Sequence, residues 1–291
     1  MKIKKYILSW LLMFVSVAAF AGVGQWRTHF AYNSVQVIAN CPEEIYALAN
    51  GAIFSINKMT ENMTLYNNRS GLHGTNVCFL MYDEEREQLL IMYSDGKMDI
   101  QYNGTMHYIS DLYNKRMTSS KICNNITIQG KFAYLAMDFG ILVFDLEKHE
   151  FKETYYIGEE ASEVKVTDVM FYGDSIYAQT KSKNYSACIY DNVVDYHFWK
   201  TCSTMPCPFD TKKGKEYTMM DGDLWKVAGA QGVYRKFVTG EEAYYLPDGP
   251  QVNTPYSMTF DRGRLYVVPG GKWATQNKAA GHVMIYENEK W

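Results

Sequence analysis

A short apolar strand, a turn and a second short strand return along this chain about every 44 residues. The unit begins at Glu44–Gly51, then Gln88–Gly96, Phe132–Gly140, Ser175–Thr180, Asp223–Ala228 and Arg264–Val268. With Ile45, Leu89, Ala133, Ile176, Leu224 and Leu265 as anchors, the steps are 44, 44, 43, 48 and 41 residues. Strand repeats of this length specify an all-β chain, a β-propeller in which each repeat makes one four-stranded antiparallel blade. Six blade units are recognisable, and membership of a seven-bladed ring stays open. Anchor strands such as Ile45-Tyr46-Ala47-Leu48-Ala49 are apolar without alternation, as expected where both faces of a sheet are covered by neighbouring sheets. Gly130, Gly173, Gly222 and Gly263 each precede an anchor strand and supply the positive φ that a tight hairpin needs.

Residues 1–21 read as a secretory signal. Lys2, Lys4 and Lys5 precede an apolar run from Tyr6 to Phe20, and Ala19-Phe20-Ala21 offers small residues for cleavage. The run is short for a membrane span, which takes about 20 residues. Residues 22–291 then suffice for one large β domain. Three of the 29 basic residues leave with the signal, so 26 remain against 32 acidic ones, a charge of −6. That balance argues against general nucleic-acid binding. No later stretch is apolar enough to cross a bilayer.

How the ring closes has two readings. The last unit shows three strands, and Gln25–Phe30 resembles an outer strand that can complete it from the other end of the chain. Alternatively, this is the front part of a longer multi-propeller protein, the reading favoured here.

No catalytic constellation emerges. Asp138-Phe139-Gly140 looks like a kinase triplet, but no phosphate loop or His-Arg-Asp segment accompanies it, so it reads as a hairpin turn. Gly173-Asp174-Ser175 lacks the downstream partners of an esterase nucleophile. The six His are scattered, with no metal-binding spacing. Cys202, Cys207 and His197 lack a recognisable fourth ligand, although Cys202 and Cys207 can pair as a local disulfide in an oxidising compartment. Neither a metal nor a cofactor is expected. The candidate ligand-binding residues lie in the Pro269–Gly281 insertion: Lys272, Trp273, Gln276, Asn277 and Lys278 combine a stacking ring with polar donors suited to sugar or phosphate. Asp95 and Asp138 occupy equivalent turns of adjacent units and form a second candidate pair, with turn capping as the simpler role.

Two stretches carry family likenesses. Ser70-Gly71-Leu72-His73-Gly74-Thr75-Asn76-Val77, followed by Tyr82-Asp83, resembles the signature of two-component regulator propellers. Trp26-Arg27-Thr28-His29-Phe30-Ala31-Tyr32-Asn33, Asp111-Leu112-Tyr113-Asn114-Lys115 and Thr154-Tyr155-Tyr156-Ile157-Gly158, with Ser162-Glu163-Val164-Lys165-Val166 after it, resemble the N-terminal propeller of PorZ-like proteins of the type IX secretion system in Bacteroidota. The second resemblance implies a non-catalytic protein with two propellers and a C-terminal export sandwich. It implies action at the outer membrane or cell surface with a sortase and other secretion components. It also implies binding of anionic lipopolysaccharide and help in attaching it to secreted cargo. The alternative is a periplasmic glycan-sensing propeller of a hybrid two-component system.

Overall fold

The computed structural model describes residues 27–203, 215–270 and 281–291. These form six antiparallel sheets in chain order, one for each repeat. The first five, within residues 35–66, 77–109, 123–155, 166–202 and 217–245, have four strands each. The sixth, within residues 255–286, has three described strands. Every sheet is a meander in which sequence neighbours pair. In sheet 1, for example, Ile45 faces Asn40 on one side and Ile56 on the other.

The hairpins form as the turn residues demand. Asp221-Gly222 and Arg262-Gly263 both take positive φ at the two central positions, the geometry whose twist matches that of the flanking strands. Asp138-Phe139 is likewise a two-residue turn, because Met137 pairs with Gly140.

The regulator-like motif acts as a hinge into sheet 2. Asn67 and Ser70 form a reciprocal capping box, and Gly71 turns the chain at φ +101°. Leu72 enters the core. The fully buried Asp99 accepts from the Tyr93 hydroxyl at 2.5 Å, the His73 amide at 2.8 Å and His73 Nδ1 at 2.9 Å. A Cβ at Gly74 would lie 2.7 Å from the Tyr93 ring, so only glycine fits.

Contacts between consecutive sheets concentrate on their first strands, such as Val35–Asn40, Val77–Asp83, Cys123–Gln129 and Val166–Tyr172. Those strands therefore lie nearest the ring axis. Three apolar clusters hold the sheets together. One joins sheets 1, 2 and 3, a second joins 3 and 4, and a third joins sheet 5 to sheet 1. In the third, Trp225, Val233 and Tyr245 pack with Ile38, Ala47, Phe54 and Ile56. The fifth sheet thus returns to the first.

Polar groups reinforce this seam. The Ile38 amide donates to Lys215 O at 2.7 Å. Arg235 grips Asp223 Oδ2 through Nε at 2.8 Å and Nη2 at 2.6 Å, and donates to Lys58 O of sheet 1 at 3.0 Å. Its guanidinium also lies over Trp225 and Phe237, at 4.6 and 4.0 Å.

The sixth sheet does not share this environment. All seven residues of its first strand, Pro255–Asp261, are exposed, with Tyr256 at 68%, Met258 at 63% and Phe260 at 70%. The equivalent inner strands of sheets 1–4 are largely buried. The expectation that each blade is covered on both faces therefore holds for sheets 1–3, whose second strands are buried almost throughout. The second strands of sheets 4 and 5 alternate in burial, and the first strand of sheet 6 is exposed. The described part of the N-terminal segment touches sheet 6 and the residues after it through side chains, not as the outer strand of the first closure reading. Residues 27–30 have no strand pairing. Arg27 contacts Glu289 at 3.0 Å and His29 Nδ1 accepts from Trp291 Nε1 at 3.0 Å. Gln25, Trp26 and the signal segment lie outside the described residues.

If the Trp225 seam closes the ring, Trp225→Ala should cost about 3–5 kcal/mol in urea unfolding, as for other large buried aromatics. Phe260→Ala, on the exposed strand, should change stability by no more than about 0.5 kcal/mol. Equal losses would place sheet 6 inside the packed ring. The seam should also be acid-sensitive. Burial pushes the Asp223 carboxyl up, but Arg235 and the Val238 amide outweigh it and hold it below the usual carboxylate value. Its stabilising share is present above the unfolded value of about 4 and disappears as pH falls through the lower folded value. Unfolding midpoints measured against pH should show Arg235→Ala losing less stability on acidification than the parent chain; parallel curves would contradict this.

Candidate functional site: the rim and axis of the ring

Turns between the second and third strands share one rim with the connections that lead into each next sheet. Asp95, in the turn of sheet 2, pairs with Lys97 at 2.9 Å, and its carboxylate also accepts from the Lys97 amide. The Lys97 ammonium sits 4.6 Å from the centre of the Tyr113 ring, which is exposed. Lys121 approaches the same ring at 5.9 Å and donates to Tyr113 O at 2.7 Å. This produces a rim patch of two ammoniums around one phenol.

Asp138, in the turn of sheet 3, pairs with Lys165 at 2.7 Å and accepts from Asn124 Nδ2 at 3.0 Å. Burial pushes its carboxyl up, but bonds from Lys165, Asn124 and Ser120 outweigh this and hold it below the usual value. The structure thus gives Asp95 and Asp138 separate lysine partners. Asp95 also caps its own turn through the Lys97 amide, whereas the Asp138 carboxylate is held by Lys165 and Asn124 from outside its turn.

Nearer the axis lies a buried polar group that sequence reasoning missed. Asp168, on the first strand of sheet 4, accepts from Asn125 of sheet 3 and lies 4.0 Å from Lys215 Nζ, which precedes sheet 5. The side chains of Asp168 and Lys215 are only 12% and 16% exposed. Burial drives the Asp168 carboxyl up against the pull of Lys215, and drives the Lys215 ammonium down against the pull of Asp168 and Cys123. The group ties sheets 3, 4 and 5 together where residues 204–214 intervene in the chain. Asp168 lies within an alternating strand and Lys215 in a loop, so neither residue's spacing announces the pair.

Lys272, Trp273, Gln276, Asn277, Lys278 and Cys207 lie outside the described residues. His197 pairs with Asp195 at 2.7 Å. Among the described residues, no group of three or more His, Cys, Asp or Glu side chains is arranged to hold a metal ion, and no helix is long and apolar enough to cross a membrane.

These features define a β-propeller whose charged groups are largely engaged in holding its own sheets and turns. Residues 45–200 match the family described as "TSS9, PorZ, N-terminal beta-propeller domain", and the chain belongs to that family. Among solved structures it is similar to PorZ of Porphyromonas gingivalis, an essential bacterial surface component of the type IX secretion system. That match has 22% identity and a TM-score of 0.74, and covers 92% of this chain and 46% of the other. The chain therefore spans less than half the length of that structure.

Weaker similarities extend to the extracellular domain of a hybrid two-component system protein from B. thetaiotaomicron and to a gluconolactonase from Xanthomonas campestris. The first has 13% identity and a TM-score of 0.42, covering 80% of this chain and 32% of the other. The second has 10% identity and a TM-score of 0.43, covering 83% of this chain and 85% of the other. Neither carries weight for function at those values. No curated protein sequence matches the chain.

Removing one partner of the axial pair leaves a buried charge. Lys215→Met is expected to cost about 3–5 kcal/mol, and adding Asp168→Asn should restore most of it. A double-mutant cycle by chemical unfolding checks this; additive losses would show that the two side chains do not interact.

Proposed function

We propose that this chain is a non-catalytic binding and scaffold propeller of the type IX secretion machinery. In this reading it is exported by its signal segment and works at the periplasmic or outer surface of the outer membrane. There it supports sortase-linked attachment of anionic lipopolysaccharide to secreted cargo. The observation that carries the reading is the family match across four of the repeats.

We also propose that residues 22–291 are the N-terminal part of a longer multi-propeller protein, with sheet 6 belonging to a second unit. The exposure of Pro255–Asp261 and the 46% coverage of the PorZ structure support this. Lys272, Trp273, Gln276, Asn277 and Lys278, with Asp95 and Asp138 on the rim, remain the proposed ligand contacts.

Affinity capture from outer-membrane extracts should recover a sortase together with other type IX components. Recovery of an inner-membrane histidine kinase instead would favour the glycan-sensor reading. Trp273→Ala combined with Lys278→Ala should weaken binding to anionic lipopolysaccharide; unchanged affinity removes that loop from the contact set. Incubation with a polysaccharide panel should release no new reducing ends or unsaturated products, and turnover of any substrate would overturn the non-catalytic assignment.

A further inference from the structure

Two histidines from different sheets meet at the outer edge of the ring. His107 lies on the fourth strand of sheet 2, Thr105–Ile109, and His149 in the turn before the fourth strand of sheet 3, Glu150–Tyr155. Their ring centres are 6.0 Å apart. Tyr102 packs beside both, at 6.4 Å from the His107 ring and 5.9 Å from the His149 ring. A cleft of about 370 Å³ opens beside His149, with Glu85, Arg86 and Glu147 in its wall. Arg86 is engaged there by Asp83, Glu85 and Glu147.

Hydrogen bonds fix which nitrogen of each ring is available. Gln88 is fully buried, and its Nε2 donates to Asp83 Oδ2 and to Leu146 O, both at 3.1 Å. Its carbonyl oxygen Oε1 is therefore the atom that faces His149 Nε2, at 2.8 Å. A carbonyl only accepts, so Nε2 of His149 carries the proton and Nδ1 the lone pair. His107 follows the same logic. Thr105 Oγ1 donates its proton to Tyr102 O at 2.9 Å, and so accepts from His107 Nε2–H at 2.9 Å. Neither Nδ1 has a hydrogen-bond partner among the described residues. Burial, then the neighbouring His107, outweighs the pull of Asp145 and holds the His149 imidazole below its ordinary value. Its lone pair is thus unprotonated at neutral pH.

Metal-ligating imidazoles are held in this way, with one nitrogen donating to a fixed acceptor and the other left for the ion. Two imidazoles that share an ion at the usual bond length of ~2.1 Å have ring centres roughly 5–6.5 Å apart, and this pair falls within that span. Neutral imidazole suits zinc, copper and nickel, whereas magnesium and calcium take oxygen ligands. With two protein ligands, the remaining positions fall to water, as in open rather than closed zinc sites.

We propose that His107 and His149 together bind one divalent transition-metal ion through their Nδ1 atoms, pinning the outer strand of sheet 2 to the turn of sheet 3. The site does not depend on the secretion reading, and neither result decides the other.

The test is calorimetric titration of the mature chain, free of any affinity tag, with Zn²⁺ alone. Zn²⁺ should bind and raise the unfolding midpoint. His107→Gln and His149→Asn should each weaken that binding at least tenfold, since loss of a ligand costs no less than loss of the group that orients one. Asn tolerates the positive φ of 55° at position 149. Nitrogen NMR of the imidazole rings should show Nδ1 of both residues shifting on Zn²⁺ addition, with Nε2 still protonated. If neither variant folds, that spectrum decides alone. No Zn²⁺ binding at millimolar concentration would overturn the proposal. So would undiminished binding in either folded variant, or a spectrum in which other rings or the Nε2 atoms take the ion.

Discussion

The structure depends on a seam. A small sheet that is apolar on both faces leaves one of them in water unless another element covers it, and a row of such sheets leaves two ends exposed. Here the fifth sheet meets the first, burying Trp225 against the inner strands of sheet 1 while Arg235 spans the joint to Lys58 O. The hydrophobic term does most of the work, because a buried Trp removes far more apolar surface from water than a surface ion pair contributes in Coulomb energy. The Arg235–Asp223 pair is strong for a different reason. Two guanidinium N–H groups converge on Asp223 Oδ2, the pair is largely shielded, and the guanidinium also stacks on two rings.

Closure at five sheets gives the sixth its character. Strand Pro255–Asp261 has the apolar alternation of an inner strand, with Tyr256, Met258 and Phe260, yet no described sheet covers it. A contiguous exposed apolar patch marks a surface that another element covers. That is the physical ground for the proposal that the sheet belongs to a second unit. The N-terminal segment bridges the two environments: Ala31 N donates to Asn253 Oδ1 at 2.6 Å, and Asn253 Nδ2 donates to Asn50 O at 3.1 Å.

Much of the fold was legible because its signals are local. The 44-residue step, the apolar anchor strands and the glycine turns each act over a few residues, and all six anchors fall in strands where expected. The Asp138-Phe139 turn followed from strand spacing alone. Ring closure was not legible in this way. Trp225 and Arg235 look like ordinary strand residues until Ile38 and Lys58, nearly 200 positions earlier, are brought beside them. The same holds for the axial Asp168–Lys215 pair and for His107 and His149, which meet only when sheets 2 and 3 pack. The family likeness to PorZ-type propellers was legible from short segments, and residues 45–200 carry it. The insertion with Trp273 was legible only as composition.

The central claim is that five sheets form one cooperatively packed ring and the sixth stands apart. Hydrogen–deuterium exchange on residues 22–291, read strand by strand, tests it most directly. Amides of the second strands of sheets 1–5 should open only with global unfolding, whereas those of Pro255–Asp261 should exchange at far lower opening cost. Protection of Pro255–Asp261 equal to that of Asp223–Val227 in sheet 5 would contradict the account.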